Sequence, residues 1–315
     1  LIIGPWYITP KWFLKHKDSY FAKCLEHNRE SKVQSIWNPR LRKHIDRVLG
    51  AFADHYREEI LESVLLGISG DYGESIYQVT GNWAGDYHTH RGYWCGDDYA
   101  RKDFRTFLRR RFRTIDRLNR RWNTNYSDFE DVQPFLLRSA PSDRAWLDEM
   151  SWYRQSMTDW AEYWIQVTKK RFPNTEIYLC TGGDESAPHG SDFTQQAKMC
   201  SKYNVGIRIT NEGSDYSFNF TLTRLVTTGC KAYNTFYGYE PAATVTKKGI
   251  VGRIFGVSSS GCRQIHEYFG NIFNPDNSLN LTAENMRKFK DFLKTEEPII
   301  KVAAFYPLSL IHISE

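Results

Sequence analysis

The chain has 315 residues, 41% hydrophobic and 25% charged, a globular balance long enough for one large domain or two small ones. Its net charge of +5 comes largely from residues 101–121, where arginines interleave with Phe104, Leu108, Phe112, Ile115 and Leu118 at helical spacing. That pattern is the solvated face of an amphipathic helix and argues against a nucleic-acid surface; no run reaches the roughly 18 apolar residues of a membrane span.

In chain order, residues 1–7 read as a strand. After Pro39, Leu41, Ile45, Val48, Leu49, Phe52 and Tyr56 recur at three- and four-residue steps and predict a helix. Residues 63–69 are a short apolar strand ending in Gly70 and Gly73, residues that let a chain turn sharply and approach a ligand closely. A loop rich in Gly, Trp, Tyr and His covers 75–97, and Asp97 or Asp98 caps a helix running to about Arg121. A polar stretch, 123–142, precedes a long helix from about Ala145 to Arg171, closed by Pro173. Strands at 176–181, 205–210, 231–237 and 262–268 then alternate with helices at 192–203, 221–229 and 245–258. A helix at 282–294 and a strand at 299–305 follow.

This alternation implies parallel strands joined by right-handed crossovers. The fold class expected is α/β, a (β/α)8 barrel with about six of its eight strands present and the first two missing ahead of Leu1. No strand runs into the Gly-x-Gly-x-x-Gly turn of a dinucleotide-binding sheet. Residues 1–275 would form the barrel, and 276–307 a connecting helix and the start of a second domain cut short. Residues 308–315 would be a tail foreign to the fold. The six cysteines are widely scattered, form no C-x-x-C pair and read as buried thiols.

Barrel enzymes keep their acid–base groups at the carboxyl ends of strands, and flat aromatic rings suit the apolar faces of pyranose sugars. The 15% aromatic content tilts the same way, although aromatics are also good core material. Glycoside cleavage uses two carboxyl groups: one protonates the leaving oxygen, and the other attacks the sugar carbon or activates water. Glu74, between glycines and an aromatic loop, is the candidate acid, with Asp71 as a hydroxyl ligand or rival acid. Glu240, among Tyr237, Tyr239 and Pro241, is the candidate second carboxylate, with Glu212 as its understudy. Trp83, His88, Trp94, Asn211 and Tyr237 are expected to line the sugar subsite, and Glu267 to pair with Arg208. His88 and His90 lack a third metal ligand of obvious spacing, so no metal is assigned. The chemistry needs no cofactor, and the expected partner is an oligo- or polysaccharide.

Trp37-Asn-Pro-Arg40, the helix ending in Phe52-Ala-Asp-His-Tyr56, Phe104-Arg-Thr-Phe-Leu108, Leu118-Asn-Arg-Arg-Trp122, Phe129 and Trp146-Leu-Asp148 together resemble glycoside hydrolase family 42, the barrel β-galactosidases. The likeness covers most of 37–165 and runs more faintly to Pro307, where Lys301-Val-Ala-Ala-Phe-Tyr-Pro307 is similar to the start of that family's flavodoxin-like second domain. The resemblance implies an acid/base after the fourth strand and a nucleophile after the seventh, which by topology are Glu74 and Glu240. The family's turn reads Asn-Glu; here Gly70-Asp71 stands there and the glutamate comes three residues later. Gly73-Glu-Ser-Ile-Tyr77, with Gly92-Tyr-Trp-Cys95 and Tyr99, is instead similar to the β-amylases, whose Gly-Glu glutamate is a general acid of an inverting reaction. The longer resemblance implies a retaining hydrolase of β-linked, galactose-containing saccharides. The alternatives are an inverting glucan hydrolase and a carbohydrate-binding barrel without catalysis.

Overall fold

The computed structural model describes residues 1–3, 9–78, 84–211, 215–241, 246–266 and 272–292. Among these, eight strands follow in chain order: β1 (Ile2–Ile3), β2 (Phe21–Lys23), β3 (Glu30–Gln34), β4 (Ser63–Leu66), β5 (Glu176–Thr181), β6 (Gly206–Asn211), β7 (Tyr237–Pro241) and β8 (Gln264–Ile265). Six form one parallel sheet in the order β1-β4-β5-β6-β7-β8, while β2 and β3 pair as a separate antiparallel hairpin. Although three strands lie between them, β8 and β4 touch: Gln264 Nε2 donates to Ser63 Oγ at 3.1 Å. A sheet can bring those side chains together only by curling, so the expected barrel is present as a curled, partial one.

Side chains alternate across a strand, and the two faces separate cleanly. Val64, Leu66, Ile177, Leu179, Ile207, Ile209, Tyr237 and Tyr239 belong to the main core beneath the helices. Leu65, Tyr178 and Cys180 form a smaller cluster on the inner face, backed by Phe236. Tyr178 takes the space that flanking side chains would need: a Cβ on Gly238 would stand 3.1 Å from its ring, and one on Gly206 would strike Phe236 and press on Tyr178. The lower part of the interior is thereby filled with rings.

The helices are α1 (Leu41–His55), α2 (Asp98–Phe112), α3 (Ile115–Trp122), α4 (Asp143–Arg171), α5 (Phe193–Ser201), α6 (Tyr216–Ala232), α7 (Lys247–Ser258) and α8 (Leu281–Lys288). Ser142, Asp192, Asp215 and Thr246 cap α4 to α7 by accepting a first-turn backbone N–H, each worth about 1 kcal/mol. None is long and apolar enough to cross a membrane. The arginine-rich helix is in fact two helices. Arg113 adopts a left-handed conformation (φ 66°), and Thr114 caps α3 through Arg117 N–H. Its charge is neutralised locally, by Arg105–Glu130 at 2.6 Å and Arg111–Asp148 at 2.7 Å.

Two elements depart from the sequence reading in ways that matter. The strand expected at 231–237 begins only at Tyr237, because α6 runs on to Ala232 and a turn with Asn234 at φ 52° follows. Glu240 therefore lies inside β7, not beyond it. The β2–β3 hairpin falls in a segment to which the sequence reading assigned no element. Most of the aromatic surplus is core: Trp37 stacks on Tyr77 and Trp152, while Trp122, Trp146 and Trp164 are fully buried. All six cysteines are buried and unbridged. The strand expected at 299–305 lies outside the described residues.

Candidate active site

The turn leaving β4 is built on left-handed backbone, at Gly70 (φ 25°), Tyr72 (φ 54°) and Gly73 (φ 88°). Glycine is required at 70, since a Cβ there would strike the Ile76 carbonyl. After a single 3-10 turn, Asp71–Gly73, the chain crosses to the neighbouring strand. Ser75 donates both its N–H (2.9 Å) and its hydroxyl (2.6 Å) to the Cys180 carbonyl of β5, and Tyr77 N–H reaches the His189 carbonyl at 2.9 Å. Glu74 is thereby suspended over the carboxyl end of β5, 8% exposed. Its carboxylate lies against Gly182, where any Cβ would overlap it.

Glu240 occupies an inner-face position on β7, paired in register with Thr210 of β6, while Arg208 faces Cys180 on one side and Gly238 on the other. The Arg208 guanidinium is in direct contact with Glu240 Oε2, and Thr210 Oγ1 donates to the same oxygen at 3.1 Å. Burial pushes the Glu240 carboxyl above the usual range, and Arg208 and Thr210 offset only part of that. Burial likewise opposes the charge on Arg208, but Cys180, Glu240 and Glu74 outweigh it and hold the guanidinium above its ordinary pKa. The Cys180 thiol is pushed up to about 11 by burial, against the pull of Arg208 and with added pressure from Glu240 and Glu74. The two carboxylates thus act on one Cys180–Arg208 pair, at one end of the curled sheet.

The other sequence candidates are placed differently. Tyr237 is three residues from Glu240, an odd separation that sends it to the opposite face, where its hydroxyl donates to the Val257 carbonyl at 2.8 Å. Trp94 is fully buried with its backbone N–H donating to the Tyr153 hydroxyl at 3.1 Å, and His88 is buried beside Glu26. Tyr237 thus lies on the face of β7 opposite Glu240, while Trp94 and His88 are buried with Tyr153 and Glu26 beside them. Asp71 and Asn211 have described backbones only, in the 3-10 turn and at the end of β6; Trp83, Glu212 and Glu267 lie outside the described residues. Arg208 contacts Glu240, and its expected pairing with Glu267 falls outside the described residues. Cys180, Thr210 and Gly182 were not singled out from the sequence, yet period-two alternation along β5 and β6 puts Cys180 and Thr210 on the same face as Arg208.

The loop after β5 completes the rim. Asp184 holds His189 Nδ1 at 2.6 Å and Arg91 at 2.9 Å, tying the segment before Trp94 to the end of β5. Despite burial, His189 and Ser186 keep the Asp184 carboxyl well below the usual range. Glu185 goes the other way: burial raises it to about 7, although Phe193 N–H donates to it at 2.7 Å.

Residues 10–178 match the family model described as β-galactosidase, that of glycoside hydrolase family 42. No curated protein sequence matches the chain. Among solved structures, the catalytic domain of β-amylase from Paenibacillus polymyxa superposes with a TM-score of 0.77 and 16% identity, over 91% of this chain and 80% of that one. β-Galactosidase from the psychrophilic Marinomonas ef1 gives 0.67 and 13%, over 90% and 48%. β-Galactosidase from Bacillus circulans sp. alkalophilus gives 0.59 and 15%, over 85% and 40%. At these identities the structural likeness concerns the fold, and the chain spans less than half the length of the two β-galactosidases.

Proposed function

The chain belongs to glycoside hydrolase family 42, and on that premise we propose that it hydrolyses β-linked saccharides, galactose-containing ones first, with Glu74 as acid/base and Glu240 as nucleophile. The observation that carries this reading is the convergence of both carboxylates on the Cys180–Arg208 pair. Glu74 protonates the departing glycosidic oxygen while Glu240 attacks the anomeric carbon and forms a glycosyl ester. Water, deprotonated by Glu74, then cleaves that ester and restores both groups. Attack needs Glu240 as the anion, and the Arg208 contact opposes the effect of burial on that charge. The Thr210 hydrogen bond occupies one carboxylate oxygen and leaves the other for the sugar.

Removing the nucleophile tests this directly. Glu240→Gly is expected to lose turnover of an aryl β-galactoside and to regain it with added azide, releasing the α-galactosyl azide. No rescue moves the role to another carboxylate, Glu212 first. A second reading, single-step inversion, is favoured by the Gly73-Glu74 turn. The anomer first released, observed by NMR, separates the two: β from a β-glycoside under retention, α under inversion.

A further inference from the structure

The turn that carries Glu74 also carries a ring. Ile68 N–H donates to the Gly73 carbonyl at 2.9 Å and Gly73 N–H to the Gly70 carbonyl at 3.4 Å, which closes residues 68–73 into a tight loop. Trp160 Nε1 donates to the Ile68 carbonyl at 3.1 Å and ties the foot of that loop to α4. Ser69 and Gly73 are buried within it. Tyr72 stands at the tip in a left-handed conformation (φ 54°, ψ 15°), 69% exposed. Trp94 and Tyr237, which the sequence offered as rings for the sugar, are buried instead.

Single exposed apolar side chains are ordinary on a protein surface, and Ile60 is as exposed at 67%. Tyr72 differs in two respects. A bulky residue is uncommon at positive φ, where glycine or asparagine sits with less strain. It also stands two residues from the candidate acid, on the same hydrogen-bonded turn. Strand order then says on which side of the acid it lies. Glu240 stands on β7, Glu74 hangs over the end of β5, and Tyr72 belongs to the turn leaving β4, so Glu74 falls between the other two. The two carboxylates flank the scissile bond. The sugar that becomes esterified lies towards Glu240, and the departing sugar lies on the outer side of the acid, where the ring is.

We propose that Tyr72 is the platform on which the departing sugar stacks, so that the chain selects substrates whose leaving group is itself a pyranose. The inference rests on the reading of Glu74 as the acid and adds to it the class of leaving group. A pyranose turns axial C–H bonds towards one face, and the electron-rich face of a phenol ring suits them. A leaving sugar held this way is held alike in the ground state and the transition state, so the contact acts on KM and leaves kcat alone. The closed loop serves that purpose, since the hydrogen bonds that fix the acid also fix the base of the ring.

The test uses the full chain and two substrates that share a galactosyl group: β-galactosyl fluoride, whose leaving group is a single atom, and a β-1,4-linked galactobiose. Tyr72→Ala should raise KM for the galactobiose at least about fivefold with kcat little changed, and leave the fluoride kinetics native. Tyr72→Phe keeps the ring and should keep the native KM. Ile60→Ala removes an equally exposed side chain just ahead of β4 and should alter neither substrate. The S-linked thiogalactobiose, which resists cleavage, should bind Tyr72→Ala at least about fivefold more weakly by calorimetry. An equal loss on both substrates would make Tyr72 a support of the turn, and a native galactobiose KM in Tyr72→Ala, or an Ala-like KM in Tyr72→Phe, would also overturn the platform. If the native chain leaves β-galactosyl fluoride untouched, the hydrolase reading fails by itself. Thiogalactobiose then decides the platform: weaker binding by Tyr72→Ala upholds it, and equal or absent binding overturns it.

Discussion

Arg208→Gln isolates what the buried guanidinium does for Glu240. In the native chain the two are in direct contact, both nearly inaccessible to water. Removing one partner of a buried pair costs about 3–5 kcal/mol, because a charge is left without compensation. The protein can avoid most of that by letting Glu240 take up a proton. One pKa unit corresponds to about 1.36 kcal/mol, so the carboxyl would rise by about 2–4 units, nearer the lower figure because Thr210 still donates to it. A nucleophile that must be ionised would then act only at higher pH. The acid limb of the kcat/KM profile on an aryl β-galactoside should therefore move up by about 2 units, with kcat recovering towards the native value above it. Arg208→Lys, which keeps a point charge but not the fork, should fall between. An acid limb within about half a unit of native in a folded Arg208→Gln protein would refute the argument that Arg208 keeps Glu240 anionic.

Three further outcomes follow from the geometry. Gly182→Ala places a methyl where the Glu74 carboxylate lies, so kcat should fall by at least about tenfold while the pH limb assigned to Glu240 stays put; native kcat would mean that the acid sits elsewhere. Glu185 is raised from 4.5 to about 7, so the folded state holds its proton more tightly than the unfolded chain. The resulting stability is complete below the unfolded value and is lost as pH rises through about 7, on the order of 3 kcal/mol. Glu185→Gln should flatten that part of the stability profile in urea titrations at several pH values, and an unchanged slope would sink the assignment. Tyr237→Phe removes the hydroxyl's bond to the Val257 carbonyl, which keeps its backbone donors Ser260 and Cys262, so it should cost only about 1 kcal/mol of stability and leave KM unchanged; a raised KM would return Tyr237 to the sugar site.

The parallel sheet was legible because the pattern behind it is local. Short apolar runs at 63–69 and 176–181, each followed by a glycine turn, can hardly be anything but buried strands, and the curled sheet contains both. Residues near Glu74 were legible for the same reason: glycines at 70 and 73 announce an unusual backbone. What failed was attribution of side chains to faces. Tyr237 and Glu240 look like neighbours in the sequence, but alternation sends residues an odd separation apart to opposite faces. Applying that alternation would have required the true start of β7, which α6 postponed by overrunning its glycine. The burial of Trp94 and His88 was hidden for another reason: aromatic and histidine residues in a polar loop resemble a sugar platform, and only the tertiary structure shows both enclosed, with Tyr153 and Glu26 beside them.

The two hydrogen bonds from Ser75 to the Cys180 carbonyl have an evolutionary corollary. They moor Glu74, the proposed proton donor, to the adjacent strand, not to the strand that precedes it in the chain. Residues can then be added to or removed from the intervening turn while the donor stays where it is in space. A glutamate three places later than an Asn-Glu motif would require is thus no contradiction: the mooring, and not the residue count, fixes its address.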